Sequence, residues 1–162
     1  MKAFKMVLMV ALAGVLLTYS SCSKKHNNPE PVTDQQLDKL VKTWKVSTTS
    51  PSVTLDGVDK SAAYSGFTLT IAGTKGTTSY TYTTSGRPDF SAWKSSGTWV
   101  YGSDPVTMIT RDPDNSSDAV NITYAVTATT LQLTFQYSGT GYSNTSRTSQ
   151  VAGQWVFNLI PQ

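Results

Sequence analysis

In eight separate segments between Thr43 and Ile160, apolar side chains alternate with hydroxylated, amide or small ones. A period of two is the period of a β-strand, whose successive side chains point to opposite faces. "TWKVST" sets Trp44 and Val46 against Lys45 and Ser47, and "GFTLTIAG" sets Phe67, Leu69 and Ile71 against Thr68 and Thr70. "SYTYTT", "GTWVYG", "PVTMIT", "AVNITYAVT", "TLQLTFQY" and "GQWVFNLI" continue the pattern to the end of the chain. Strands that are half apolar and half polar suit an antiparallel sheet with one wet face; a parallel α/β core would need strands buried on both faces. The tight "ATT" between Val126 and Leu131 marks the clearest hairpin. Eight antiparallel strands in sequence predict an all-β, up-and-down barrel, whose closure removes the sheet edges. A two-sheet sandwich of the same strands has the same periodicity and remains the alternative.

One short helix precedes the strands. In "VTDQQLDKLVKTW", Thr33 stands at an N-cap position with Gln36 three residues on, the spacing of a capping box. Leu37, Leu40 and Val41 then share one face over about two turns.

Residues 1–21 read as an export signal: Lys2 and Lys5, the apolar run "MVLMVALAGVLL", then small residues before Cys22. The run is too short to cross a bilayer stably. "TYSSC" resembles a bacterial lipobox, which implies cleavage before Cys22 and lipid attachment to its sulfur. Ser20 and Ser21 fit that motif; Tyr19 departs from its usual aliphatic residue. Two or three acyl chains anchor firmly where one does not, since each buried methylene contributes about 0.8 kcal/mol. Residues 22–32 would form a polar, proline-containing tether, and 33–162 the folded domain.

Cys22 and His26 are the only cysteine and the only histidine, and both precede that domain. A Ser-His-Asp triad, a Cys-His pair and a tetrahedral zinc site therefore lack their residues. Charge excludes another class. Removing Lys2, Lys5, Lys24 and Lys25 from the 13 basic residues, and Glu30 from the 10 acidic ones, leaves nine of each in the domain. With no basic stripe there is no electrostatic footing for nucleic acid.

The opening "LDKLVKTWKVS" resembles the "L-x-G-x-W-x-V" start of lipocalin-like domains in Bacteroidota lipoproteins. "SGTWVYGSDPVTMITRD", "ITYAVTATTLQLTF" and "VAGQWVFNLI" resemble the middle and last strands of the same domains, so the likeness spans roughly 35–162. Lys42 replaces the motif's glycine, which bears on whether Trp44 closes the barrel floor against an arginine; Arg147 is the nearest candidate. The resemblance implies a fold and an envelope address, and little chemistry. Surface-exported lipoproteins of this kind carry acidic residues after the cysteine. Here the window reads "SKKHNN", which implies retention on the periplasmic side of the outer membrane, with the two lysines near anionic headgroups.

Two segments hold candidate site residues. The long connection "SGRPDFSAWKSSG" offers Arg87, Phe90 and Trp93 at a barrel mouth, with Tyr80, Tyr82 and Trp99 on neighbouring strands. These aromatics either bind a ligand or cap the core. "RDPDNSSD" places Asp112, Asp114, Ser116 and Asp118 at alternate positions, like the first half of a calcium loop, though Ser117 replaces its glycine and Thr123 its final glutamate. No other cofactor is indicated. No facing carboxylate pair is visible from spacing, and no enzyme is expected. The leading expectation is a non-enzymatic envelope lipoprotein whose barrel binds a small apolar or amphipathic molecule. The alternatives are a solid-cored module that contacts envelope proteins, and a carbohydrate-binding accessory lipoprotein with an aromatic platform. A hollow interior favours the first, and a packed one the second.

Overall fold

A computed structural model describes residues 29–142 and 151–162. Helix α1 (Val32–Leu40) is followed by ten antiparallel strands. They are β1 (Thr43–Val46), β2 (Val53–Leu55), β3 (Val58–Asp59), β4 (Thr68–Ala72) and β5 (Tyr80–Ser85). The remainder are β6 (Ser96–Tyr101), β7 (Met108–Arg111), β8 (Val120–Val126), β9 (Leu131–Tyr137) and β10 (Gly153–Pro161). Eight of them close a barrel in the order β1-β4-β5-β6-β7-β8-β9-β10, and β10 returns to β1 through Trp44↔Pro161 and Val46↔Leu159. These eight are the segments legible as alternation, and they form the expected barrel.

The added pair, β2 and β3, turns at Asp56-Gly57, both at positive φ (48° and 78°). Asp-Gly with two left-handed residues is the signature of a tight hairpin turn, and it stood in the sequence unread. β2 takes over the edge of β10 where β1 leaves it: β1 pairs with Leu159–Pro161, β2 with Trp155–Phe157. β10 is nine residues long and meets β9 along its other edge over seven register pairs.

Inward positions on the barrel strands are mostly apolar or aromatic; Arg111 on β7 and Gly97 on β6 are exceptions. Leu69, Ile71, Trp99, Ile122, Leu133, Phe135 and Phe157 all bury to within a few per cent of full enclosure. Outward positions are mostly threonine and amides, so rows such as Thr43–Thr70–Thr83 run across the strands. Thr43 and Thr70 hydroxyls lie 3.0 Å apart in one such row.

α1 closes one end of the barrel. Leu37 and Leu40 are buried there, Trp44 Nε1 donates to Leu40 O (2.9 Å), and Tyr101 Oη donates to Thr33 O (2.9 Å). The helix begins two residues earlier than its capping pattern suggests. Pro31 occupies the N-cap without a side-chain bond, and its carbonyl accepts from the Asp34 and Gln35 amides. Thr33 consequently lies inside the first turn. Val41 turns outward, because the chain there has already become extended. Lys42, in place of the motif glycine, sets its ammonium 5.0 Å from the Trp44 ring centroid and donates to Ala128 O. Trp44 thus meets a cation after all, from its own strand's approach; Arg147 lies outside the described residues. So does Cys22.

Candidate functional site

The segment between β5 and β6 enters the barrel from the end opposite α1. Gly86, at φ +61°, starts the turn; a Cβ there would sit 1.9 Å from Gly66 O, so the close backbone approach requires glycine. Phe90 also takes a positive φ (64°), rare for a bulky residue, and leans on the core half-buried. Ser91 then bridges to Tyr142, and the chain dips so that Ala92 and Trp93 bury almost completely. Trp93 reaches the barrel axis from a loop and not from a strand. Its ring meets Tyr82 and Phe135 edge-on, each at 5.6 Å between centroids, and Phe157 at 6.0 Å.

Arg111 lies beneath it. β7 puts Ile109 inward, and the period of two puts Arg111 inward as well, 1% exposed. Its guanidinium carbon is 4.9 Å from the Trp93 centroid and 5.8 Å from that of Phe135, so two aromatic rings cover it. Nη1 donates to Ala92 O at 2.7 Å. Asp112 balances the charge. Strand alternation would turn it outward, but its φ of +52° folds the carboxylate back, Oδ2 reaching 3.4 Å from Arg111 Nε. Tyr82 Oη donates to Asp112 Oδ2 (2.9 Å) and the Thr98 amide to Oδ1 (3.2 Å). Gly97 makes room for this: a Cβ there would stand 2.0 Å from Asp112 Oδ1.

The inserted loop is held by polar bonds at its backbone. Arg87 Nη1 donates to Trp93 O (2.8 Å), Ser91 Oγ accepts from the Trp93 amide (3.0 Å), and Thr84 Oγ1 donates to Lys94 O (2.6 Å). Lys94 pairs with Asp118 at 2.7 Å and, more distantly, with Asp112 at 3.8 Å; Tyr142 Oη donates to Asp118 Oδ1 (2.8 Å). The Lys94 bond holds the Asp118 carboxyl below the usual carboxylate range. Burial pushes the Tyr82 and Tyr142 hydroxyls well above the ordinary phenol range, so both stay protonated donors. Three buried donors in this cluster have no acceptor: Trp93 Nε1, Arg111 Nε and Arg111 Nη2. The same residues border a cavity of about 20 Å³ with a wholly apolar wall, lined by Arg111, Tyr82, Trp93 and apolar residues including Leu40. That is room for about one water molecule.

The candidate residues thus separate into two groups. Arg87, Phe90, Trp93 and Tyr82 gather at the plugged mouth. Tyr80 and Trp99 pack at 4.5 Å between ring centroids, tilted by 32°, toward α1, with their polar atoms committed to Thr77 O and Thr81 O. Neither group forms an open aromatic platform; among the described residues the exposed large apolar side chains are Val32, Val41, Val58 and Val106. The four alternating residues do not converge either. Asp112 faces the barrel interior, Asp118 faces Lys94, and Asp114 and Ser116 stand in solvent. Among the described residues no three acidic, histidine or cysteine groups cluster as a metal site would need. Sequence reading missed Arg111 and Gly97. The signals were present: Arg111 is in phase with Ile109, and glycine inside a strand marks a close approach.

The eight-stranded barrel with a loop-borne tryptophan over a buried arginine defines the architecture. Compared with protein-family models, curated proteins and solved structures, the chain gives no match.

Proposed function

We propose that the chain is a non-catalytic envelope lipoprotein, anchored through Cys22 and held on the periplasmic side of the outer membrane. Its barrel binds a small amphipathic molecule at the mouth, beneath the 86–95 loop. The observation that carries this reading is the Trp93 plug. A loop supplies the residue that fills the barrel axis, and polar bonds to backbone carbonyls hold it over a cluster of donors that lack acceptors. Buried donors are normally satisfied, and each exception calls for an explanation, such as a bound water or a ligand. The lipocalin-like resemblance of residues 35–162 agrees with a barrel used this way.

A filled interior supports a second reading, a solid-cored module that acts through its outer surface on envelope proteins. The residual 20 Å³ favours it, since no ligand larger than water fits while Trp93 is seated. Native mass spectrometry of the full chain purified from its own host separates the two. A retained molecule that disappears on denaturation supports the ligand reading; protein of bare acylated mass supports the solid module. Palmitate labelling of the wild-type chain, lost in Cys22→Ser, tests the anchor.

A further inference from the structure

The unsatisfied cluster defines what kind of molecule would replace the plug. Arg111 Nε and Nη2 form one edge of the guanidinium fork, the edge that takes two carboxylate oxygens side by side. That edge has no hydrogen-bond partner; Asp112 Oδ2 stands 3.4 Å from Nε outside bonding geometry and is engaged by Tyr82. The opposite edge already holds a carbonyl, that of Ala92, and one face already holds a flat ring, that of Trp93. Ala92 and Trp93 therefore present to Arg111 a ring and one oxygen, as an internal ligand that leaves the fork unfilled.

The charges around the loop also favour an anion. Arg87, Lys94 and Arg111 bind the loop or lie under it, against the two carboxylates Asp112 and Asp118. Asp89, on the same loop, is exposed. One positive charge is left over among these buried and half-buried groups. The walls supply the rest of the specificity: Tyr82, Phe67, Phe135 and Phe157 surround the indole, so a flat apolar body is what the space admits.

We propose that the barrel mouth binds a planar aromatic carboxylate of about indole size, which displaces Trp93 and fills the Arg111 Nε/Nη2 fork with its carboxylate. This rests on the ligand-binding reading above and specifies its ligand. The ring takes the place of the indole between Arg111 and the phenylalanines, and the acid satisfies the donors that Trp93 and Ala92 leave open. A neutral ring lacks the second contribution, and an aliphatic acid lacks the first.

Calorimetric titration of the full chain in detergent tests this, with indole-3-acetate as probe and indole-3-acetamide as its neutral isostere. Trp93→Ala removes the internal competitor and should bind the acid at least tenfold more tightly than the wild-type chain does. In that variant the acid should exceed the amide at least tenfold. Adding Arg111→Met should abolish the preference; if that double variant does not fold, Arg111→Lys, which keeps charge but not the fork, should reduce it severalfold. Equal binding of acid and amide to Trp93→Ala overturns the carboxylate assignment while leaving a ligand site at the mouth. Failure of both probes to bind Trp93→Ala overturns the proposal; if the host-purified chain also retains no molecule, the ligand reading falls with it.

Discussion

Replacing Gly97 by alanine tests the buried charge cluster through one methyl group. Gly97 lies in β6 without the positive φ that would demand glycine, so backbone conformation alone makes Gly97→Ala mildly favourable, by about 0.5–1 kcal/mol. Contact decides the outcome the other way. The new Cβ would stand 2.0 Å from Asp112 Oδ1 and 2.7 Å from the Tyr82 ring and hydroxyl, too close for either to remain. Overpacking of this kind costs about 1–3 kcal/mol. If Asp112 swings away instead, Arg111 is left buried without its counter-charge, a loss on the order of 3–5 kcal/mol. The net expectation is a destabilisation of about 1–2 kcal/mol if the site absorbs the methyl group, rising to about 2–4 kcal/mol if Asp112 is expelled. Urea unfolding followed by tryptophan emission measures it, with Gly66→Ala as control, because a Cβ on Gly66 meets nothing within 4 Å. The control should stay within about 0.5 kcal/mol of the parent. Equal midpoints for the two variants would refute the claim that Asp112 and Tyr82 are fixed against β6.

Deleting residues 159–162 removes Leu159 from the core and the pairs that join β10 to β1, so the barrel cannot close. Amide spectra of the truncated chain should lose their dispersion; retention of a native spectrum would contradict closure at this seam. Lys42→Ala removes the ammonium from the Trp44 face at a partly exposed site and should cost no more than about 1 kcal/mol by the same urea assay. Asp118 is held below its unfolded value of about 3.9, so its bond to Lys94 stabilises above that pH and is lost as pH falls through the folded value. Between pH 5 and pH 2 the urea midpoint should therefore fall more steeply in the wild-type chain than in Asp118→Asn. Parallel curves would show that this pair contributes nothing to holding the loop.

The barrel was legible because its signal is repeated: one strand's alternation is weak, but eight in series leave few architectures. Elements that depend on a single local feature were harder. The β2–β3 hairpin is two residue pairs around Asp56-Gly57, too short for periodicity, and only its turn chemistry announces it. The helix start was misplaced because Thr33 and Gln36 fit a capping box, whereas Pro31 fixes the first turn without any side-chain bond. The mouth residues Arg87, Phe90 and Trp93 were recognised as a group from the length and content of their loop. Their inward direction was not readable, since it depends on Gly86 and Phe90 taking left-handed conformations. Arg111 shows the same limit. Its phase points inward, but burial of a cation is acceptable only with Asp112 folded back beside it, and that turn is a property of the packed structure.

The central claim is that Trp93 fills the barrel axis over Arg111. Fluorine spectra of the full chain labelled with 5-fluorotryptophan test it directly, the Trp93 signal being identified as the one lost in Trp93→Phe. The account predicts a Trp93 resonance with no H2O/D2O solvent shift that moves in Arg111→Lys, while the Trp155 resonance stays in place. A solvent-sensitive Trp93 resonance indifferent to Arg111 would contradict it.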